Sequence, residues 1–251
     1  MGRRPSLLPY PCTWIIAAVL YLSGDSLAAD RLFVRERIPF YRRKRYTLYI
    51  SSKGIRRMIK ILGFTGSLRR GSYNMAALRA ARELLPEDAA LEIADLSPIP
   101  FFNEDVEAEG MPGAVLDFRQ KIADADALLI STPEYNFSIP PVLKNALDWA
   151  SRGADTPLPG KPLAIMSASP GMLGGARVQY HLRQVLVGLD LKVLNKPEVF
   201  IARANRKFDE AGVLTDERTQ KAITRLLAAL VESVRELRLI KAQKAAPPAE
   251  T

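Results

Sequence analysis

The sequence predicts an α/β fold: a parallel sheet covered by helices on both faces. Three observations predict it. From Ile59 onward, short apolar runs alternate with segments of helical period, which is the pattern of strand–helix–strand units. The runs Ile59–Phe64, Ala127–Ser131 and Pro162–Ser167 are predominantly apolar, as strands buried on both faces must be. The segments after those runs, 65–74, 132–139 and 168–175, are rich in Gly, Ser, Pro or Asn, unlike the connections at the opposite ends.

The first 57 residues do not read as part of that pattern. Arg3 and Arg4 precede the apolar run Trp14–Leu22, and Ser26-Leu-Ala-Ala29 follows it. This is similar to a secretory signal, and the run is too short for a transmembrane helix. Arg31 to Arg57 form a basic tract around Arg42-Arg-Lys-Arg45, with no helix or strand period. Met58 stands directly before the first strand, where a natural start would fall. Residues 1–57 are therefore expected to lie outside the fold, as a signal-like extension or as a mispredicted start.

From Met58 the elements follow in order. Ile59, Ile61, Leu62 and Phe64 make the first strand, and Met75, Leu78, Ala81, Leu84 and Leu85 recur at helix spacing after it. Leu91–Leu96 alternates as a second strand. Residues 97–112, with Pro98, Pro100, Gly110 and Pro112, read as a long loop, and 115–123 as a helix. Ala127–Ser131 is a third strand, stopped by Pro133. Pro140 and Pro141 suit the first turn of a helix over 139–151. Pro162–Ser167 is a fourth strand, followed by a helix over 175–189. A fifth strand is expected at 191–194 or at 197–201. Residues 215–244 form a long amphipathic helix, and the domain ends near 245, leaving 246–251 as a tail.

Composition excludes several function classes. The chain of 251 residues has a formal net charge of +9, from 36 Lys/Arg and 27 Asp/Glu. Residues 1–57 carry 12 and 3 of these, which leaves 24 of each sign in 58–251. The predicted domain is neutral, so its basic pI gives no reason to expect nucleic acid. Cys12 is the one cysteine, so neither an intrachain disulfide nor a thiolate metal site is expected. His181 is the one histidine, which argues against a Ser-His-Asp triad or a His-rich metal site and marks it as a surface or interface residue. No metal is expected.

In such a sheet the ligand sits at the carboxyl ends of the strands, near the topological switch point. The first loop, Thr65 to Asn74, joins a strand to a helix start through small and hydroxylic residues. Its amides and the helix dipole favour an anion such as phosphate. Arg69 can add a charge-assisted bond, and Ser72 can cap the helix. The alternative is an ordinary strand-to-helix turn. Gly66 to Gly71 does not fit G-x-G-x-x-G and no G-K-[ST] follows, so neither a dinucleotide fingerprint nor a Walker loop is present. The second loop, Thr132-Pro-Glu-Tyr-Asn-Phe-Ser-Ile-Pro-Pro141, offers a rigid turn, an aromatic ring, an amide and a hydroxyl. Tyr135 and Asn136 suit a flat conjugated ligand. The alternative makes Tyr135 and Phe137 covers for the sheet end and Glu134 a solvated carboxylate.

These motifs together resemble a known family. Gly66-Ser-Leu-Arg69 with Ser72 and Asn74, then Pro133-Glu-Tyr-Asn136 with Ser138 and Pro140, then Ser167-Ala-Ser-Pro-Gly171 with Gly174-Gly175, are similar to the flavodoxin-like NADPH-dependent FMN reductases. That family includes bacterial quinone and chromate reductases. The resemblance covers roughly residues 58–230 and leaves 1–57 without a counterpart. It implies a doubly wound, five-stranded parallel sheet in three layers. It implies that Ser67, Arg69, Ser72 and Asn74 bind the FMN phosphate, that Pro133, Glu134, Tyr135 and Asn136 lie against the isoalloxazine and phosphate, and that Ser167 and Gly171 line the flavin and pyridine-nucleotide side.

The resemblance further implies a cytoplasmic enzyme that takes hydride from NADPH or NADH through FMN to quinones or similar acceptors, chromate, azo and nitro compounds included, in ping-pong turnover. No catalytic side chain is then required, because the cofactor carries the chemistry. A flavodoxin-type electron carrier and a flavin-binding regulator without turnover are the competing readings. Carriers of that type usually present a strongly acidic surface, whereas this domain balances at zero. The resemblance also implies a homodimer or homotetramer with no stable membrane association. Val142, Ala146 and Trp149 form an apolar stripe on the helix 139–151, widened by Leu143 and Leu147 beyond what one sheet face needs, which is expected to meet a second copy. Arg177 and Tyr180 are expected to reach a carboxylate such as Glu198 across a further, more polar contact.

Overall fold

Parallel strands form where apolar side chains occupy both sides of the pleat, and the three apolar runs supply them. The computed structural model describes residues 31–34, 46–51 and 54–245. The chain divides into two compact units, Met1–Arg57 and Met58–Thr251. The signal-like run Trp14–Leu22 and the tail 246–251 lie outside the described residues.

In the first unit, β1 (Arg31–Val34), β2 (Tyr46–Ser51) and β3 (Gly54–Arg57) pair antiparallel in that order. This corrects the expectation that Arg31–Arg57 holds no regular element. A ladder is made by backbone N–H and C=O groups, and strands of four to six residues are too short for a period to stand out in a basic tract.

The second unit holds β4 (Ile59–Thr65), β5 (Ala89–Ile93), β6 (Ala127–Thr132), β7 (Pro162–Ala168), β8 (Lys192–Val193) and β9 (Val199–Ile201). All pair in parallel, in the order β5-β4-β6-β7-β8, with β9 also on β7. Read in chain order this is 2-1-3-4-5, the flavodoxin-like arrangement. Alternate residues feed two cores. Ile59, Ile61, Leu129 and Met166 face α1 (Tyr73–Glu83) and α6 (Glu217–Ala245). Leu62, Phe64, Ile130 and Ile165 face α3 (Gly113–Asp124), α4 (Pro141–Ala150) and α5 (Ala176–Gly188). A glycine at 63 lets α1 lie close: a Cβ there would come within 3.1 Å of Leu78.

Four differences from the expectations have physical causes. The fifth strand position is filled twice, because β8 pairs with Pro162–Leu163 and β9 with Met166–Ala168; the stretch 194–198 between them carries Pro197, which has no N–H for a ladder. The second strand ends at Ile93, and Leu96 is instead buried in the connection after it. The long loop contains a helix, α2 (Glu104–Glu109), with no buried residue and therefore no apolar period to read. It is held by Asn103 Oδ1, which accepts from Asp105 N at 2.9 Å, and by acids in its first turn. Finally, the apolar stripe of α4 is used inside the chain. Leu143, Ala146, Leu147 and Trp149 are fully buried; Trp149 meets Phe102 edge-on and donates Nε1 to Pro100 O at 2.8 Å. It is not an excess face awaiting a second copy.

The amino-terminal edge of the sheet is closed by charge. Asp126 accepts from Lys60 N and Arg238, both at 2.9 Å, and Arg235 pairs with Asp88 at 2.7 Å. Burial there holds the Lys161 ammonium below its ordinary value.

Candidate functional site

At the carboxyl edge, β4 leads to a helix on one face of the sheet and β6 to a helix on the other. Their connections diverge and leave a crevice between them. The connection after β7 borders the same crevice.

The first loop is shaped for an anion. Gly66 is pressed against α4, where a Cβ would stand 2.9 Å from Leu143 Cβ. Ser72 caps α1 by accepting from Met75 N at 3.3 Å, as expected. The amides of Leu68, Arg69, Arg70, Gly71, Tyr73 and Asn74 donate to no other group among the described residues. These amides, the α1 dipole and the buried Ser67 form a donor set that fits a terminal phosphate. Arg69 is exposed, with its guanidinium 5.4 Å from the Tyr73 ring centre.

Asn74 stands apart from that donor set in its side chain. Its Oδ1 accepts from Ala168 N at 2.9 Å and Ser131 Oγ at 3.1 Å, and its Nδ2 donates to Ala168 O at 3.0 Å. It ties α1 to the ends of β6 and β7 and holds the floor of the crevice.

The second loop turns sharply. Tyr135 N donates to Ser138 O at 3.1 Å and Ser138 N to Tyr135 O at 2.9 Å. Asn136 and Phe137 between them have φ of 49° and 64°, as a type I′ turn requires at both central positions. A bulky residue there is strained by on the order of 1 kcal/mol. The turn presents Tyr135 and Phe137 to solvent, 46% and 69% exposed. The Arg177 guanidinium covers one face of the Phe137 ring at 3.9 Å. His181 is exposed, as expected, with Nδ1 3.0 Å from Ser138 Oγ.

Glu134 is neither a free base nor a solvated carboxylate. Its Oε2 accepts from Val178 N at 3.1 Å and its Oε1 lies 3.6 Å from Arg177 Nη1. The carboxylate thus caps the amino terminus of α5 from the neighbouring loop. Pro133 precedes it, half-buried.

The third loop runs over the end of β7. Gly171 is exposed and accepts from Arg203 N at 3.0 Å; beside it, Met172 is 76% exposed. Ser167 is fully buried and faces inward: its Oγ donates to Gly174 O at 2.6 Å and accepts from Gln179 Nε2 at 2.8 Å. Sequence reasoning missed Gln179, although its register with Leu182 and Leu186 marks a polar residue on an apolar helix face. The expected contact of Arg177 and Tyr180 with Glu198 across an interface is also corrected. Tyr180 donates to Glu198 within the chain at 2.9 Å, and Arg177 serves Glu134 and Phe137. The Glu198 bond pushes the Tyr180 phenol up, while Lys196 and then Tyr180 hold the Glu198 carboxyl down.

The chain can now be set beside known proteins. The family model for NADPH-dependent FMN reductases matches residues 59–206. An NAD(P)H-dependent FMN reductase of Pseudomonas aeruginosa is 56% identical over 180 residues, 72% of this chain and 97% of that protein. A quinone reductase of Escherichia coli K12 is 40% identical over 186 residues, 72% of this chain and 98% of that one. The structure of FerB, a flavoenzyme NAD(P)H:(acceptor) oxidoreductase from Paracoccus denitrificans, aligns with a TM-score of 0.66 at 30% identity, over 71% of this chain and 98% of its own. The chain belongs to the NADPH-dependent FMN reductase family.

Proposed function

We propose that this chain is an FMN-dependent NAD(P)H oxidoreductase with quinones as its acceptors. Family membership supports the reaction class, and the quinone reductase among its relatives supports the acceptor. When bound, FMN supplies the hydride chemistry, taking hydride from NAD(P)H and returning it to an acceptor. The protein's part is to bind and orient. The open amides of 68–71, 73 and 74 with Ser67, Ser72 and Arg69 would hold the phosphate. Pro133, Tyr135, Asn136 and Phe137 on one side, and Gly171 on the other, would flank the flat ring. Asn74, Glu134 and Ser167 act one step back, by fixing the loops that do the binding.

The observation that carries the reading is the set of unpaired amides at the switch point, because it suits a terminal phosphate and not a pyrophosphate on a dinucleotide fingerprint. The purified chain is expected to take up FMN in preference to FAD and to oxidise NAD(P)H faster when a quinone is added. Stoichiometric FAD, or no oxidation with FMN and quinone present, overturns it. Chromate, azo and nitro compounds enter the same assay as alternative acceptors, and an electron carrier would show no quinone-dependent turnover. Among the described residues no helix is long and apolar enough to cross a membrane. A cytoplasmic location belongs to the same proposal. We also propose a homodimer. The exposed Leu68, Phe101, Phe137 and Met172 on loops at the carboxyl edge support it.

A further inference from the structure

We propose that Gln179 is a positioning residue for the cofactor site: acting through Ser167, it sets the shape of the glycine loop after β7. The inference rests on the reading that FMN binds at this edge. Gln179 is fully buried on α5. Its Nε2 donates to Ser167 Oγ at 2.8 Å and to Val199 O at 2.9 Å. Ser167 has a single hydroxyl hydrogen, which is placed on Gly174 O at 2.6 Å. Ser167 must therefore accept from residue 179, and the Val199 carbonyl can only accept, which turns a donor toward it as well. Both acceptors face the same amide position, where an oxygen would be repelled, so the side chain has a single workable orientation. In that orientation its Oε1 has no partner among the described residues.

A buried, unpaired amide oxygen is unfavourable, and an aliphatic side chain would avoid it. Leu182 and Leu186 on the same helix face show that the position suits one. What the amide supplies is direction. Gly174 and Gly175 have φ of 60° and 83°, so the chain reverses there in a left-handed conformation. It does so against close neighbours: a Cβ on Gly174 would lie 2.7 Å from the backbone Ala202 N, and one on Gly175 would lie 2.8 Å from Ser167 Cβ. The Ser167 bond to Gly174 O pins this reversal from inside the protein. The loop then enters α5, whose first turn receives Glu134 from the second loop. One buried amide thus reaches two of the three loops that border the crevice.

The full chain is tested as S167A, Q179L and the double variant. FMN affinity is read by quenching of flavin fluorescence, and backbone order by amide hydrogen exchange on flavin-free protein. Each single variant is expected to weaken FMN binding about tenfold, with the double variant no weaker than Q179L. Exchange should quicken in 171–178 and stay unchanged in β4 and β6. In turnover, the apparent constant for FMN should rise more than kcat falls. If Q179L fails to fold, S167A carries the same comparison. Unchanged affinity with unchanged exchange, additive losses in the double variant, or faster exchange across the whole sheet overturns the proposal. If the unmodified chain takes up no FMN, the cofactor reading fails, while loop-specific exchange still decides whether the clamp exists.

Discussion

Replacing Glu134 by Gln separates a helix cap from a chemical group. The carboxylate side chain is 14% exposed, accepts from Val178 N at 3.1 Å and lies 3.6 Å from Arg177. Gln keeps the shape and an acceptor for Val178, so the loss is that of charge. A negative charge at a partly buried helix N-terminus contributes up to about 2 kcal/mol. The Arg177 side chain is 43% exposed, so the ion pair adds at most about 0.5 kcal/mol. Glu134→Gln should therefore destabilise the protein by about 1–2 kcal/mol. At about 2–4 °C per kcal/mol for a domain of this size, the melting temperature falls by roughly 2–8 °C. Glu134→Ala also leaves Val178 N unpaired and should cost about 1 kcal/mol more. Calorimetry on flavin-free protein measures both. In turnover, Glu134→Gln should lower kcat by less than about tenfold, whereas loss of a general acid or base costs about 10²–10⁴. An unchanged melting temperature with a hundredfold loss of kcat would refute the cap.

Arg69→Ala should weaken FMN binding by about 1.5–3 kcal/mol, the worth of a charged hydrogen bond; an unchanged titration means that Arg69 points away from the phosphate. A chain beginning at Met58 should fold, bind FMN and turn over like the full chain, and insolubility or inactivity would move the boundary. Asp216 accepts from Thr219 N at 2.9 Å at the start of α6, and its pKa is lowered first by the Thr219 hydroxyl. Its stabilisation is present above the ordinary carboxyl value and is lost as pH falls through the depressed one. Asp216→Ala should therefore cost about 1 kcal/mol at neutral pH and progressively less in acid, as chemical denaturation across pH would show. Light scattering at micromolar concentration should give a dimer; an active monomer refutes the assembly.

The fold was legible where burial on both faces forces composition. The runs at β4, β6 and β7 admit little but apolar residues, and Pro140-Pro141 punctuates α4. It was illegible where burial exerts no such pressure. The helix α2 buries nothing, β8 and β9 are two and three residues long, and β1 to β3 lie in a basic tract. The site divides in the same way. Loop composition located the three loops, because turns at strand ends need Gly, Pro, Ser and Asn. Composition does not say which way a polar group faces. Asn74 and Ser167 are of the right type for a ligand, and their side chains are also bonded within the chain. Gln179 sits on a helix outside the loops. The α4 stripe counted apolar residues correctly and misjudged the partner, because it could not see that Pro100 and Phe102 lie over Trp149.

The divided fifth strand also governs how this sheet meets foreign chains. An outer strand with a continuous row of free N–H and C=O groups is a template for fibre growth. Here that row is interrupted between Val193 and Val199, and the gap carries Lys196 and Pro197, a charge and a residue without a donor. An incoming strand finds at most three consecutive residues to copy on this side. Joining the two pieces into one unbroken strand would lower solubility while leaving the three loops of the carboxyl edge in place.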